Sequence, residues 1–211
     1  MAYVDIGDKA SGTIYTEANW DQTRANFQAG VPDIFTTKGD LAVATGADAA
    51  ARLAAGANDS TLVAASGETT GLVWQIIPAV HLTKADATVM SVDAWTTLEF
   101  DAETADTDAM HSGDTNPTRI TIPAGGDGWY LFGFSGRVDN GSPNRWQVRF
   151  LLNGATEIGA GGMSSYDFGP LSVVVLRPVV ATNYIEVQYY STYANTISAS
   201  PIFWAIWQRR T

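Results

Sequence analysis

Few side chains in this sequence are equipped for chemistry, and their spacing limits what they can do. A run of carboxylates, Asp101, Glu103, Asp106, Asp108 and Asp114, occupies one polar stretch. Closely spaced carboxylates suit calcium, a hard cation that takes about six to eight oxygen ligands. Asp101, Glu103, Asp106 and Asp108 are therefore candidate metal ligands, although the stretch lacks the alternating-aspartate-then-glycine order of a helix–loop–helix site. The competing reading is a solvated acidic loop that keeps the molecule in solution. Paired carboxylates also serve glycoside hydrolysis, so a glycan-hydrolysing module stands as an alternative. The two histidines, His81 and His111, are not at metal-ligand spacing from each other. His111 falls inside the acidic stretch, where ordering the loop is its expected role. There is no cysteine and no G-x-S-x-G elbow, which removes thiol nucleophiles, disulfides, thiolate zinc sites and the serine-hydrolase turn. Gly159-Ala160-Gly161-Gly162 is not followed by Lys-Ser/Thr, so it reads as a loop and not as a phosphate cradle. Tyr166, Phe168 and Tyr193 lie among turn residues and are candidates either for glycan contact by stacking or for capping a core. Taken together, these residues point away from an enzyme.

Those residues need a scaffold, and composition says what kind. A chain of 211 residues with 45% hydrophobic and 11% aromatic content can bury a real core. With 22 acidic against 12 basic residues the net charge is -10, which argues against a nucleic-acid partner, since that needs a basic footprint. No apolar run approaches the ~18 residues that span a bilayer, so no membrane insertion is expected. The opening MAYVDIGDKASG lacks a basic-then-apolar signal pattern, which predicts a soluble protein made in the cytoplasm.

From residue 76 to 211 the pattern is continuous β structure. Tyr130, Phe132 and Phe134 alternate with Leu131, Gly133 and Ser135; Trp146, Val148, Phe150 and Leu152 alternate with Arg145, Gln147 and Arg149; Ile185, Val187 and Tyr189 alternate with Glu186, Gln188 and Tyr190. Asn153-Gly154 is a hairpin signal. A short edge strand over Arg119 to Ile122 precedes the long aromatic strand that starts at Trp129. Strands are also expected over 76–82, 87–92, 96–100, 156–158, 172–178 and 201–208. Many strands with no helix between them indicate an antiparallel sandwich. In the last strand Ile202, Trp204 and Ile206 face one way and Phe203, Ala205 and Trp207 the other. Both faces are apolar, so this strand is either central in the sandwich or packed at a subunit interface.

Ahead of that head, residues 1–35 hold an extended arm and the best helix candidate, Thr16 to Ala29, with Thr16 as N-cap and Gly30 and Pro32 as the stop. Trp20, Arg24 and Phe27 share one face, which docks either on this chain or on another protein. Residues 36–75 are rich in alanine and glycine. They read either as strands in a narrow oligomeric shaft or as a linker, with Ala47 to Ala55 as an alternative short helix. The regularly spaced Leu41, Leu53, Leu62 and Leu72 favour the shaft. The expected architecture is thus mainly β: an N-terminal arm with one short helix, a small-residue shaft, and a C-terminal antiparallel jelly-roll sandwich.

Two resemblances add to this reading. Thr37-Lys38-Gly39-Asp40-Leu41, Arg52-Leu53-Ala54-Ala55-Gly56, Thr61-Leu62-Val63-Ala64 and Gly71-Leu72-Val73-Trp74, in this order, resemble a segment of bacteriophage tail-fibre and minor virion proteins. Met110-His111 before Asn116-Pro117-Thr118-Arg119 resembles phage versions of the head. Over roughly residues 95 to 208, Gly128-Trp129-Tyr130-Leu131-Phe132-Gly133-Phe134, Asn183-Tyr184-Ile185-Glu186-Val187 and Ser200-Pro201-Ile202-Phe203-Trp204-Ala205 are similar to the tumour-necrosis-factor-like and complement-like jelly rolls. The resemblance implies a homotrimer with aromatic residues meeting along its axis, for which Tyr130, Phe132, Tyr189, Phe203, Trp204 and Trp207 are the candidates. It further implies a non-enzymatic virion protein on the particle surface, a short fibre or spike anchored to capsid or tail through Tyr3, Trp20, Arg24 and Phe27. The head would serve decoration or attachment to a host cell-surface glycan. No cofactor is implied beyond the candidate calcium.

Overall fold

The computed structural model describes residues 17–18, 20–21, 35–47, 49–139, 144–165, 169–198 and 200–209. The chain forms two compact units, residues 1–76 and 77–211. In the first unit, Glu17, Ala18, Trp20 and Asp21 are helical. Tyr3, Arg24 and Phe27, with the arm and most of the expected helix, lie outside the described residues. Two hairpins follow. Strand β1 (Leu41–Gly46) pairs with β2 (Ala49–Leu53), and β3 (Ser60–Ala64) pairs with β4 (Leu72–Ile76). The alternative helix over Ala47 to Ala55 is overturned: the chain is extended there because β2 exchanges ladder hydrogen bonds with β1, which outweighs the intrinsic preference of alanine.

The motif residues between Thr36 and Trp74 have a local physical role. The Asp40 carboxylate carries no solvent-exposed surface and pairs with Arg52 Nη1 at 3.2 Å. It accepts hydrogen bonds from Thr36 N (2.8 Å), Thr37 N (2.9 Å), Thr37 Oγ1 (2.9 Å) and Ala55 N (3.2 Å). Those donors, the Thr36 amide foremost, hold its carboxyl far below the usual carboxylate range. Trp74 Nε1 donates to Ala54 O at 2.8 Å, and a side chain on Gly56 would run into the Trp74 indole. The motif residues are therefore the clasps of the hairpins. Yet no described residue from Phe35 to Ile77 is fully buried, so these hairpins have no core of their own.

The second unit is a two-layer antiparallel jelly roll. Its strands are β5 (Ala79–Thr83), β6 (Thr88–Val89), β7 (Ala94–Thr97), β8 (Ala102–Asp106), β9 (Arg119–Thr121) and β10 (Gly128–Asp139). They continue with β11 (Asn144–Leu152), β12 (Thr156–Ser165), β13 (Gly169–Val179), β14 (Tyr184–Ser191), β15 (Thr196–Ile197) and β16 (Ile202–Arg209). One sheet runs β8-β5-β16-β10-β13, and the edge of β10 that carries β16 also carries β15, which pairs with β6. The other runs β12-β11-β14-β9. Asn153 (φ 52°) and Gly154 (φ 69°) make the tight turn between β11 and β12, as the Asn-Gly pair requires.

Two expectations fail informatively. The glycines at 159, 161 and 162 are in β12, not in a loop. A Cβ on Gly161 would sit 2.9 Å from Ser172 O, so glycine there allows close backbone approach. The acidic stretch is also partly a strand. β8 pairs with β5 and shifts register between His81 and Leu82, leaving Thr104 as the bulged residue. A short, acidic edge strand of this kind resists pairing with other chains.

The core lies between the sheets and is aromatic. Phe203 packs against Phe100 and Phe150, with ring centroids 5.4 and 5.6 Å apart. Phe134 meets Tyr189 edge-on at 5.4 Å, and Tyr130 stacks on Phe132 at 5.8 Å. Burial of each such ring contributes about 1.5–3 kcal/mol. It also pushes the Tyr130 and Tyr189 phenols well up from their ordinary range, keeping both neutral.

Candidate assembly interface

Alternation on the first sheet puts one set of side chains in the core and the other on the outer face. Pairing across the strands makes one continuous row, Ala105, His81, Trp204, Gly133 and Val174. A second row contains Ala79, Ile206, Leu131 and Leu176, and a third Thr83, Ile202, Ser135 and Ser172. None of these positions bears a carboxylate, ammonium or guanidinium group, although the chain has 34 such residues (22 acidic and 12 basic). His81 is the one titratable side chain on these rows, and its Nδ1 is engaged by the Thr104 hydroxyl.

The relief of this face is uneven. Trp204 lies flat because Gly133 opposite it has no side chain: a Cβ there would be 2.1 Å from the indole. Beside the indole is a cavity of about 420 Å³ bounded by Ala79, His81, Ala105, Ile202, Trp204 and Ile206. On the far edge of the sheet, β13 presents Val174 and Leu176, which are 58% and 47% exposed. Contiguous exposed apolar surface of this kind marks an interaction site, because leaving it in water is unfavourable.

The expected interface residues divide sharply. Tyr130, Phe132, Tyr189, Phe203 and Trp207 are buried in the head's own core and cannot touch a second subunit. That is a correction, and its cause is parity: Phe203 and Trp207 point inward, while Trp204 between them points out. Trp204 alone of the expected set lies on the outer face. Val174, Leu176, Ile206 and His81, none of them in the expected set, share that face with it. The sequence signal for the first three is that β13 and β16 are apolar on both faces; His81 on β5 has none.

The acidic stretch is organised by its own backbone. Asp106 accepts from the amides of Met110 and His111, both at 2.9 Å, and from that of Asp108 at 3.3 Å. Glu103 pairs at 2.7 Å with Nδ1 of His111, whose side chain is wholly buried, and His111 Nε2 is 3.4 Å from Pro117 O. Asp101 accepts from Ala85 N at 3.0 Å, and Asp108 from the Thr107 hydroxyl at 2.7 Å. Among the described residues, no three His, Asp or Glu side chains gather to hold a metal ion. Each of the four candidate ligands is thus engaged by the chain's own hydrogen bonds, Glu103 and Asp106 both through His111.

The glycan candidates fare unevenly. Tyr166 and Phe168 lie outside the described residues, and Tyr193 is 55% exposed. Trp20, from the anchoring set, is 60% exposed. A polar-aromatic cluster unforeseen from sequence lies on the second sheet. The Arg149 guanidinium stacks 4.0 Å over Trp95 and donates to Gln188 Oε1, while Trp95 also meets Tyr190 at 5.5 Å. These contacts hold β7 against β14.

No family model and no curated protein matches the chain. Among solved structures it is similar to the globular domain of zebrafish complement 1qA protein, with 12% identity and a TM-score of 0.49 over 64% of this chain and 99% of that one. It is similar also to murine APRIL at pH 5.0, with 12% identity and a TM-score of 0.49 over 63% of this chain and 99% of that one. A second murine APRIL structure, at pH 8.5, gives 13% identity and a TM-score of 0.48 at the same coverage.

Proposed function

We propose that this chain is a structural protein of a bacteriophage particle, a short homotrimeric fibre or spike. Its N-terminal segment attaches to capsid or tail, the hairpins of residues 36–75 form a small-residue shaft, and the jelly-roll head serves decoration or host-surface attachment. The observation that carries the assembly part is the charge-free apolar face around Trp204 in a chain of net charge -10. Hairpins without a buried residue support it too, since their half-buried leucines gain a core when copies associate. The order of the phage-like segment ahead of the head supports the virion assignment.

Light scattering on the purified chain tests the assembly and is expected to give three times the chain mass. A monomer at micromolar concentration overturns it. Immunogold microscopy of particles tests the virion assignment, and particles without label at capsid or tail overturn that. The glycan-contact reading is supported by the exposed ring of Tyr193. Tyr193→Ala is expected to lower any glycan-array signal, and an unchanged signal removes that residue from the reading.

A further inference from the structure

We propose that the outer face of the second sheet binds a sugar ring carrying one carboxylate, where Arg145, Gln147 and the Tyr190–Trp95 pair lie side by side. This deepens the glycan-attachment reading above by giving it a surface and a class of ligand. Side chains on β11 alternate, so Trp146, Val148 and Phe150 enter the core while Arg145, Gln147 and Arg149 face out. Gln147 is paired with Tyr190 on β14 and with Gly162 on β12, and Arg149 with Gln188 and Ala160. Beside the polar row β12 thus presents only a hydrogen and a methyl group, which leaves that side open. On the other side stands an aromatic wall, Tyr190 with Trp95 at 5.5 Å.

A pyranose offers an apolar C–H face that stacks on aromatic rings and hydroxyls that bond amide, guanidinium and carboxylate groups. All of these are present here. Asp93 accepts from the Tyr190 hydroxyl at 3.0 Å, which fixes that ring before any ligand arrives. Two of the guanidinium groups on this face are committed to the fold. Arg149 lies 4.0 Å over Trp95, bonds Gln188 Oε1 at 2.8 Å and is 3.7 Å from Glu157. Arg119 lies 4.4 Å over Tyr184. Arg145 differs. It is exposed, and among the described residues no carboxylate pairs with its guanidinium, in a chain of 22 acidic and 12 basic residues. The half-buried Gln147 amide likewise has no hydrogen-bond partner among the described residues. A cluster that only held β7 on β14 would need neither group.

Charge selects the ligand. A guanidinium matches a carboxylate in fork geometry. A chain of net charge -10 repels a long polyanion, whereas a neutral ring with one carboxylate requires only one cation. Uronic and sialic acids share this chemistry. Thr192, whose amide donates to Arg145 O at 3.2 Å, places the exposed Tyr193 next along the chain.

Saturation-transfer NMR on the full-length chain tests the site with methyl glucuronide, the methyl glycoside of N-acetylneuraminic acid, and methyl glucoside, which lacks the carboxylate. At least one acidic probe should give a signal about tenfold above the glucoside, the effect of one charge-assisted hydrogen bond. Which acidic probe gives it separates the uronic from the sialic source. Arg145→Gln should lower that signal to the glucoside level, Arg145→Lys should restore part of it, and Gln147→Ala should also lower it. Neither Arg145 nor Gln147 has a side-chain partner in the described fold, so circular dichroism of these variants should match wild type. Equal signals from all probes, no signal from either acidic probe, or an unchanged signal in Arg145→Gln overturns the proposal. Loss in Tyr193→Ala without loss in Arg145→Gln overturns this site but keeps the Tyr193 contact. The reverse pattern upholds this site and removes Tyr193, so the two failures are distinct.

Discussion

Adjacent residues on β16 should respond to truncation in opposite ways. Phe203 is fully buried and in ring contact with Phe100 and Phe150, at 5.4 and 5.6 Å. Phe203→Ala removes its transfer free energy and leaves a cavity that these rings cannot fill, a loss of about 3–5 kcal/mol. Against a typical domain stability of about 5–15 kcal/mol, that is a large fraction. Trp204 is half-buried on the outer face and has no such enclosure within its own protomer. Trp204→Ala should cost only about 1 kcal/mol in the protomer and act chiefly on association. Urea unfolding followed by far-ultraviolet circular dichroism separates the two. With a slope of about 2–3 kcal/mol per molar, Phe203→Ala should lower the midpoint by about 1–2 M at every protein concentration. Trp204→Ala should instead leave the low-concentration midpoint near wild type and flatten its rise with concentration. A Phe203→Ala midpoint no lower than that of Trp204→Ala, measured in dilute protein, would refute the assignment of faces.

Other consequences follow from single contacts. Gly133→Val should displace the Trp204 indole, weaken self-association in sedimentation velocity, and leave the secondary structure unchanged. The Asp40 carboxyl is depressed on folding, so its contribution is fully present above its unfolded value of about 4 and is lost as pH falls through the lower folded value. Amide exchange of residues 36–55 should therefore accelerate below about pH 4, and Asp40→Asn should show that acceleration already at pH 7. His111→Ala should release Glu103 and loosen the stretch from 103 to 117, seen as faster exchange there with little change in the aromatic core. An unchanged exchange pattern removes the loop-ordering role.

Sequence alone was enough for the class and much of the core. Period-two alternation identified β10, β11 and β14 with their inward faces, because the pleat ties side-chain direction to sequence parity. Asn153-Gly154 identified its hairpin for an equally local reason, the positive φ that turn demands. What sequence could not say was which of two apolar faces points inward. Parity separates Phe203 from Trp204 but ranks neither, and only packing against Phe100 and Phe150 decided it. β8 was also illegible, since AETAD has no strand preference and is extended only because β5 offers it a partner edge. The candidate assembly face is nonlocal for the same reason. Ala105, His81, Trp204, Gly133 and Val174 come from separate strands, and only strand order and register align them in one row.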